Sequence, residues 1–389
     1  MYNKVVDFIR GLYKTDDFIP LHAPVFIGNE KKYLSDCIDT TFVSSVGKYV
    51  DRFEEMVSEY TAVKKSVVCV NGTNALHLAL KTVGVKRNTE VITQPLTFIA
   101  TANAIAYCDA SPIFIDVDKD TLGLSPEKLL LWLKNSVALK INPETNITEA
   151  INKSTNKVIT ACVPMHTFGH PCRIDEIIDI CNLYHIPVIE DAAESLGSFY
   201  KGKHTGTFGK FGVLSFNGNK TITTGGGGMI LTNDEALGEH IKYLTTQAKV
   251  PHQWDYVHDY IGYNYRMPNI NAALGVAQME QIKLFIENKR ETANKYHMFF
   301  SGLGIEFAHE PENSRSNYWL NALILKNKKE RDEFLNYTNN QGVMTRPVWR
   351  LLNELKMFHN CQNDGLENAK YLADRIVNIP SSVSLINSI

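Results

Sequence analysis

Short apolar runs recur between residues 66 and 232, and several are followed by stretches with helical spacing. VVCV (67–70), EVIT (90–93), PIFI (112–115), VITAC (158–162), PVIE (187–190), GVLSF (212–216) and MILT (229–232) are continuous and mostly rich in Val and Ile. Strands covered on both faces have this character. Between several of them, NALHLALKTV, IATANAIAY and IDEIIDICNLY repeat apolar residues at three- and four-residue intervals. Alternation of this kind predicts βαβ units. The expected fold is α/β, a seven-stranded, mostly parallel sheet with helices on both faces.

After about residue 268 the pattern changes. NINAALGVAQMEQIKLFIENKRETANKYHMFF reads as one long helix, with no breaker beyond Gly275. A strand at WLNALILK (319–326), a helix at ERDEFLNYTNNQ, a strand at VMTRPVW (343–349) and a closing helix at AKYLADRIV follow. This predicts a smaller C-terminal α+β domain over residues 256–389. The large domain then spans 1–255, with residues 1–60 as an N-terminal arm. The polar stretch from Asn135 to Lys157 is expected at the surface.

With 389 residues, 44% hydrophobic and 21% charged, the chain has the balance of a globular protein with a sizeable core. The net charge of −2 gives no basic field for nucleic acid. No run approaches the roughly 20 apolar residues that span a bilayer. MYNKVVDFIRGLYKTDD carries no signal-peptide pattern, so a cytoplasmic protein is expected. The seven cysteines are odd in number and contain no CxxC pair. That fits a reducing compartment better than a disulfide framework, and no metal site is expected.

Three segments carry candidate chemistry. In VVCVNGTNALHLAL a strand ends, Asn71-Gly72-Thr73 turns, and a helix begins. Helix N-termini offer unpaired N–H groups to a phosphate, although an ordinary capped helix has the same pattern. In IPVIEDAAES, Asp191 follows a buried-type strand, where open α/β sheets place ligand groups. It reads either as a turn residue or as a carboxylate awaiting a cationic partner such as a protonated heterocycle. In SFNGNKTITTGGGGM, Lys220 lies between two core-type strands without the glycine spacing of a P-loop. A lysine there is either surface-exposed or a Schiff-base nucleophile. The four glycines after it predict close approach of main chain to a ligand. Together, a phosphate-binding turn, an aspartate for a pyridinium and a lysine for an aldehyde form the set that pyridoxal phosphate requires. Phe98, after another strand, is placed to stack on the ring or simply to fill the core.

VNGTNALHLAL, PLTFIATANAI, HTFGHPCRIDEI, VIEDAAESLGS, GTFGKFGVLSFNGNKTITTGGGGM and GYNYRMPNINAALG resemble segments of the sugar aminotransferases, pyridoxal-phosphate enzymes of fold type I. TTQAK, ENSRSNYW and TRPVW are similar to the subgroup acting on nucleotide-linked 4-keto-6-deoxy-N-acetylglucosamine in bacillosamine and legionaminic acid biosynthesis. The resemblance implies that Lys220 carries the cofactor aldehyde and that Asp191 pairs with its ring nitrogen. It also implies that Phe98 stacks on the ring and that Gly72, Thr73 and Ser215 hold the phosphate. Glu194 stands near the ring hydroxyl, where many relatives have Gln. A homodimer with shared sites is implied, Asn264 of GYNYR reaching the second subunit's phosphate. Glutamate is the expected donor and a nucleotide sugar the acceptor. FVSSVG (42–47), Gln247, Arg315, Trp319, Arg346 and Trp349 are candidates to hold that sugar and nucleotide, because Arg pairs with diphosphate and Trp with flat rings. A C3 aminotransferase on a thymidine-linked keto sugar and a non-catalytic protein of the same fold are the alternatives.

Overall fold

Each of the seven apolar runs forms a strand: β1 (Lys65–Cys69), β2 (Glu90–Thr93), β3 (Ser111–Phe114), β4 (Ile159–Val163), β5 (Ile189–Asp191), β6 (Phe211–Ser215) and β7 (Gly228–Thr232). The structure is a computed structural model and describes residues 2–384. Across the layer the order is β1-β7-β6-β5-β4-β2-β3, with β4 and β5 joined by parallel bridges at Cys162–Val188 and Met165–Asp191. Only β7 runs antiparallel to its neighbours. Helices Gly72–Thr82, Ile99–Tyr107 and Ile174–Leu183 follow β1, β2 and β4. The two-residue period of the strands divides the core. Val67 and Ile230 pack with Leu76 and Leu80, whereas Val68, Leu214 and Met229 pack with Phe53 and Val276 on the other face.

The C-terminal region carries a second, antiparallel sheet in the order Glu306–Phe307, Asn321–Ile324, Ile376–Ile379, Arg346–Pro347. Three details depart from the sequence reading. The long helix is two, Asn269–Met279 and Ile282–Ser301, parted at Glu280-Gln281. AKYLADRIV is helical only to Ala373, and its last residues enter the strand Ile376–Ile379. The first helix, Tyr2–Tyr13, buries Val5, Val6 and Ile9 among Tyr296, Phe300, Phe334 and Val377. The opening residues therefore pack with the C-terminal elements and not as an arm on the large body. The polar 135–157 stretch is an antiparallel hairpin, Val137–Ile141 with Thr148–Asn152.

Parallel strands end together, so β5 and β6 deliver their last residues to one edge. Val213 lies opposite Asp191, and Ser215 lies opposite Gly228 of β7. That edge is where the candidate site forms.

Candidate active site

At the C-terminal ends of β1, β5 and β6 lies a cavity of about 330 Å³. Its lining includes Gly72, Thr73, Phe98, Asp191, Glu194, Ser215, Lys220, Trp319 and Trp349. The sequence singled out all nine. Lys220 is the only cationic side chain in the lining, set against two carboxylates.

Asn71 caps the helix Gly72–Thr82, its Oδ1 accepting the Asn74 N–H at 2.8 Å. The turn lies directly on β7: a Cβ on Gly228 would come within 2.4 Å of the Asn71 carbonyl carbon and 2.6 Å of the Gly72 nitrogen. Gly72 in turn faces Ser215, whose Cβ would be 3.1 Å from a Cβ at residue 72. At Gly227 an added Cβ would strike Thr224 Oγ1 at 2.2 Å and Met267 Cε at 2.6 Å. Gly225 adopts φ +77°, while Gly226 borders open space and, with Gly227, lines the cavity. The bare backbone at 227 and 228 is thus demanded by protein atoms, and it seats the helix-terminal turn against the lysine segment.

Asp191 is buried. Its Oδ2 accepts from the Thr101 hydroxyl at 2.6 Å and its Oδ1 from the Ala193 N–H at 3.2 Å. No cationic side chain is within ion-pair distance of it among the described residues. Burial raises its carboxyl above the ordinary range, and the Thr101 bond opposes that rise. Beneath it, Glu190 accepts the Gly206, Phe208 and Gly209 N–H groups at 2.7 Å and pairs with His166 Nε2 at 3.0 Å, which braces the turn beside β5.

Lys220 Nζ donates to Glu194 Oε1 at 3.2 Å and lies 3.9 Å from the centroid of the Trp319 ring. Glu194 is buried, and its other oxygen accepts the Phe168 N–H at 2.9 Å. Burial pushes its carboxyl up to about 7, against the pull of Lys220. Phe98 is half exposed, 6.4 Å edge-on from Trp349, which also packs on Phe168 at 5.2 Å.

The residues present fit pyridoxal phosphate. A buried carboxylate without a cation suits a protonated ring nitrogen, and a sheltered lysine suits an aldehyde. A capped helix N-terminus beside a serine hydroxyl suits a phosphate.

Four predicted residues lie outside the cavity of this chain. Asn264 is exposed and accepts from Arg266 at 3.3 Å. Gln247 is exposed in a left-handed turn at φ 65°. Arg315 is exposed on a two-residue strand, opposite Phe199. Arg346 turns its guanidinium to Asn339 Oδ1 and the Thr345 carbonyl, at 3.1 and 3.0 Å. Phe42, Val43 and Val46 of FVSSVG are exposed and absent from the lining. The sequence reading missed Asn217 and Asn219, which line the cavity from the lysine segment itself, and Thr101, three residues beyond Phe98.

The profile described as the DegT/DnrJ/EryC1/StrS aminotransferase family matches residues 26–388. The chain is 38% identical over 371 residues to a GDP-perosamine synthase of Escherichia coli O157:H7, covering 95% of each. It is 36% identical over 251 residues to UDP-4-amino-4,6-dideoxy-N-acetyl-beta-L-altrosamine transaminase of Campylobacter jejuni, covering 64% of this chain and 61% of that one. The crystal structure of the aminotransferase TlmJ from Streptoalloteichus hindustanus superposes with TM-score 0.84 at 24% identity, over 95% of each chain.

Proposed function

The chain belongs to the DegT/DnrJ/EryC1/StrS aminotransferase family, which makes it a pyridoxal-phosphate-dependent sugar aminotransferase of the fold type I class. From that premise we propose that it moves an amino group from glutamate to C4 of a nucleotide-linked 4-keto-6-deoxy-N-acetylglucosamine, with the new amine equatorial. The observation that carries the site reading is the meeting of Lys220, Asp191 and the Gly72–Thr73 helix terminus in one cavity. Support for the sugar comes from the resemblance of TTQAK, ENSRSNYW and TRPVW and from the Campylobacter relative, whose name places an amine on C4 of a UDP-linked 6-deoxy, N-acetylated sugar.

The cofactor, when bound, supplies an electron sink for the carbon that loses or gains a proton. In this reading Asp191 holds the ring nitrogen protonated, with Thr101 fixing one carboxylate oxygen. Gly72, Thr73 and Ser215 take the phosphate and Phe98 covers a ring face. Lys220 would hold the aldehyde, and its amine is the group placed to move the substrate proton as general base. Glu194 orients the Lys220 amine. Trp349 lines the same cavity.

We further infer a homodimer in which Asn264 completes the phosphate site of the second subunit. Trp254, Tyr256, Tyr260 and Ile261, close before Asn264 in sequence, and Phe42, Val43 and Val46 leave large apolar surface exposed. Such surface is what a second copy would cover. No helix among the described residues is long and apolar enough to cross a membrane. The cytoplasm, where the seven free cysteines would stay reduced, is the proposed compartment.

A second reading has its own support. The Escherichia coli relative is a GDP-perosamine synthase, and it matches over more of the chain. A GDP-linked keto sugar is therefore the alternative substrate. Offering UDP- and GDP-linked 4-keto-6-deoxy sugars with glutamate, and solving the product by NMR, separates the two. Large H3–H4 and H4–H5 couplings on a UDP-linked N-acetyl sugar are expected. Turnover of the GDP-linked sugar alone would sink the first reading.

A further inference from the structure

The sequence put Trp319 among the groups that hold the nucleotide sugar. Its surroundings give it a different task. Trp319 is 4% exposed, and the face of its ring is taken by Lys220 Nζ at 3.9 Å. Its indole Nε1–H donates to the carbonyl of Asn219 at 2.6 Å, the residue just before Lys220. The ring therefore grips the lysine at its amine and at the adjoining main chain.

Trp319 is itself fixed from two sides. Its N–H donates to Asn317 Oδ1 at 2.8 Å. The Asn317 Nδ2 donates to the carbonyls of Glu194 and Leu196 at 2.8 and 2.9 Å. The carbonyl of Trp319 accepts from Lys289 Nζ at 3.2 Å. Lys289 is buried on the helix Ile282–Ser301, and its other partners are His22 Nε2 at 3.0 Å and the Ser381 carbonyl at 2.6 Å. An ammonium has three donors, and here it has three acceptors. The two groups flanking Lys220 Nζ, the Glu194 carboxylate and the Trp319 face, are thereby tied to each other through the single side chain of Asn317.

We propose that Trp319 is a positioning residue for Lys220, holding the lysine between its ring face and Glu194, and that the Asn317 amide sets the spacing of that clamp. The proposal rests on the aminotransferase reading above. A cation over an indole face in a sheltered site is favoured by the ring quadrupole, and an apolar aliphatic side chain of similar bulk lacks that attraction. A nucleotide contact and a lysine clamp differ in one respect. The first acts only when the sugar is present. The second acts in both halves of the reaction.

The test uses the full-length holoenzyme as wild type, Trp319→Phe and Trp319→Leu. Glutamate is added alone and the loss of the cofactor's visible band is followed in stopped flow. The Leu variant should convert at least about tenfold more slowly, because a loosely held amine meets the substrate proton less often. The Phe variant, which keeps a ring face, should stay within about threefold of wild type. KM for the nucleotide sugar should change by less than about threefold in both, as uniform binding is untouched. In the cofactor-free full chain, acylation of Lys220 by acetic anhydride, mapped by mass spectrometry, should be several-fold faster in the Leu variant than in the Phe variant. If Trp319→Leu does not fold, Trp319→Met is judged by the same criteria. A Leu or Met variant that converts with glutamate at the wild-type rate overturns the proposal, the more so if its KM for the nucleotide sugar rises. A wild-type enzyme whose band ignores glutamate would instead remove the aminotransferase reading on which the proposal stands.

Discussion

Glu194→Gln is the substitution whose outcome follows most closely from the geometry. Glu194 is fully buried, with one oxygen on the Phe168 N–H and the other 3.2 Å from Lys220 Nζ. Burial raises its carboxyl from 4.5 to about 7. A group that binds its proton more tightly in the folded state adds stability below the unfolded value, and loses it as pH rises through the folded value. The window is therefore roughly pH 4.5 to 7. At about 1.4 kcal/mol per pH unit the whole effect is about 3 kcal/mol, most of which falls between pH 5 and pH 8. Glutamine fills the same space and does not titrate. The stability of the Gln variant minus that of wild type should accordingly rise by about 2 to 3 kcal/mol from pH 5 to pH 8. Urea unfolding of the cofactor-free protein, at one fixed protein concentration and several pH values, measures that difference. A difference flat to within about 0.5 kcal/mol would show that Glu194 is not held as a buried, proton-binding carboxyl.

Other outcomes follow from the same structure. Asp191→Asn should keep the fold and lower turnover on the order of a hundredfold, because an amide hydrogen-bonds a ring nitrogen without stabilising its charge. An Asn variant with near wild-type turnover contradicts the pyridinium role. Lys289, whose ammonium burial depresses to about 7, should make wild type gain about 2 kcal/mol of stability between pH 7 and pH 9, since the unfolded lysine keeps its proton over that range. Lys289→Met should lack that gain, and equal pH profiles would refute it. Mixing inactive Lys220→Ala subunits with subunits disrupted at Asn264 should restore part of the activity in mixed dimers. No recovery in dimers verified by mass counts against a shared site.

The strands were legible because burial on both faces leaves a local mark, short continuous runs rich in Val and Ile such as EVIT and MILT. The cavity residues were legible where chemistry and position coincide. Asp191 and Ser215 end strands, and Lys220 follows one within five residues. Elements that depend on distant partners were not legible. The helix stops at Ala373 and the chain turns into Ile376–Ile379, which pairs with Asn321–Ile324. Nothing in AKYLADRIV records that pairing. The break at Glu280-Gln281 has no Gly or Pro to announce it, and the packing gives no cause for it. Residue type also failed to separate Arg315 and Arg346 from the tryptophans. All four suit a nucleotide sugar, yet both arginines are exposed and outside this chain's cavity while Trp319 and Trp349 reach it. The glycine run meets two kinds of neighbour, and Gly226 and Gly227 line the cavity. At Gly228 the close approach is to the Asn71–Gly72 turn, a contact between segments more than a hundred and fifty residues apart.

The central claim is that Lys220 is the lysine that carries the cofactor. Borohydride reduction of the yellow holoenzyme, followed by proteolysis and peptide mass spectrometry, tests it without any substrate. The account predicts one phosphopyridoxyl adduct per chain, on the peptide containing SFNGNKTITT, at Lys220. An adduct on Lys289 or on any other lysine, or a reduced protein that carries none, would contradict it.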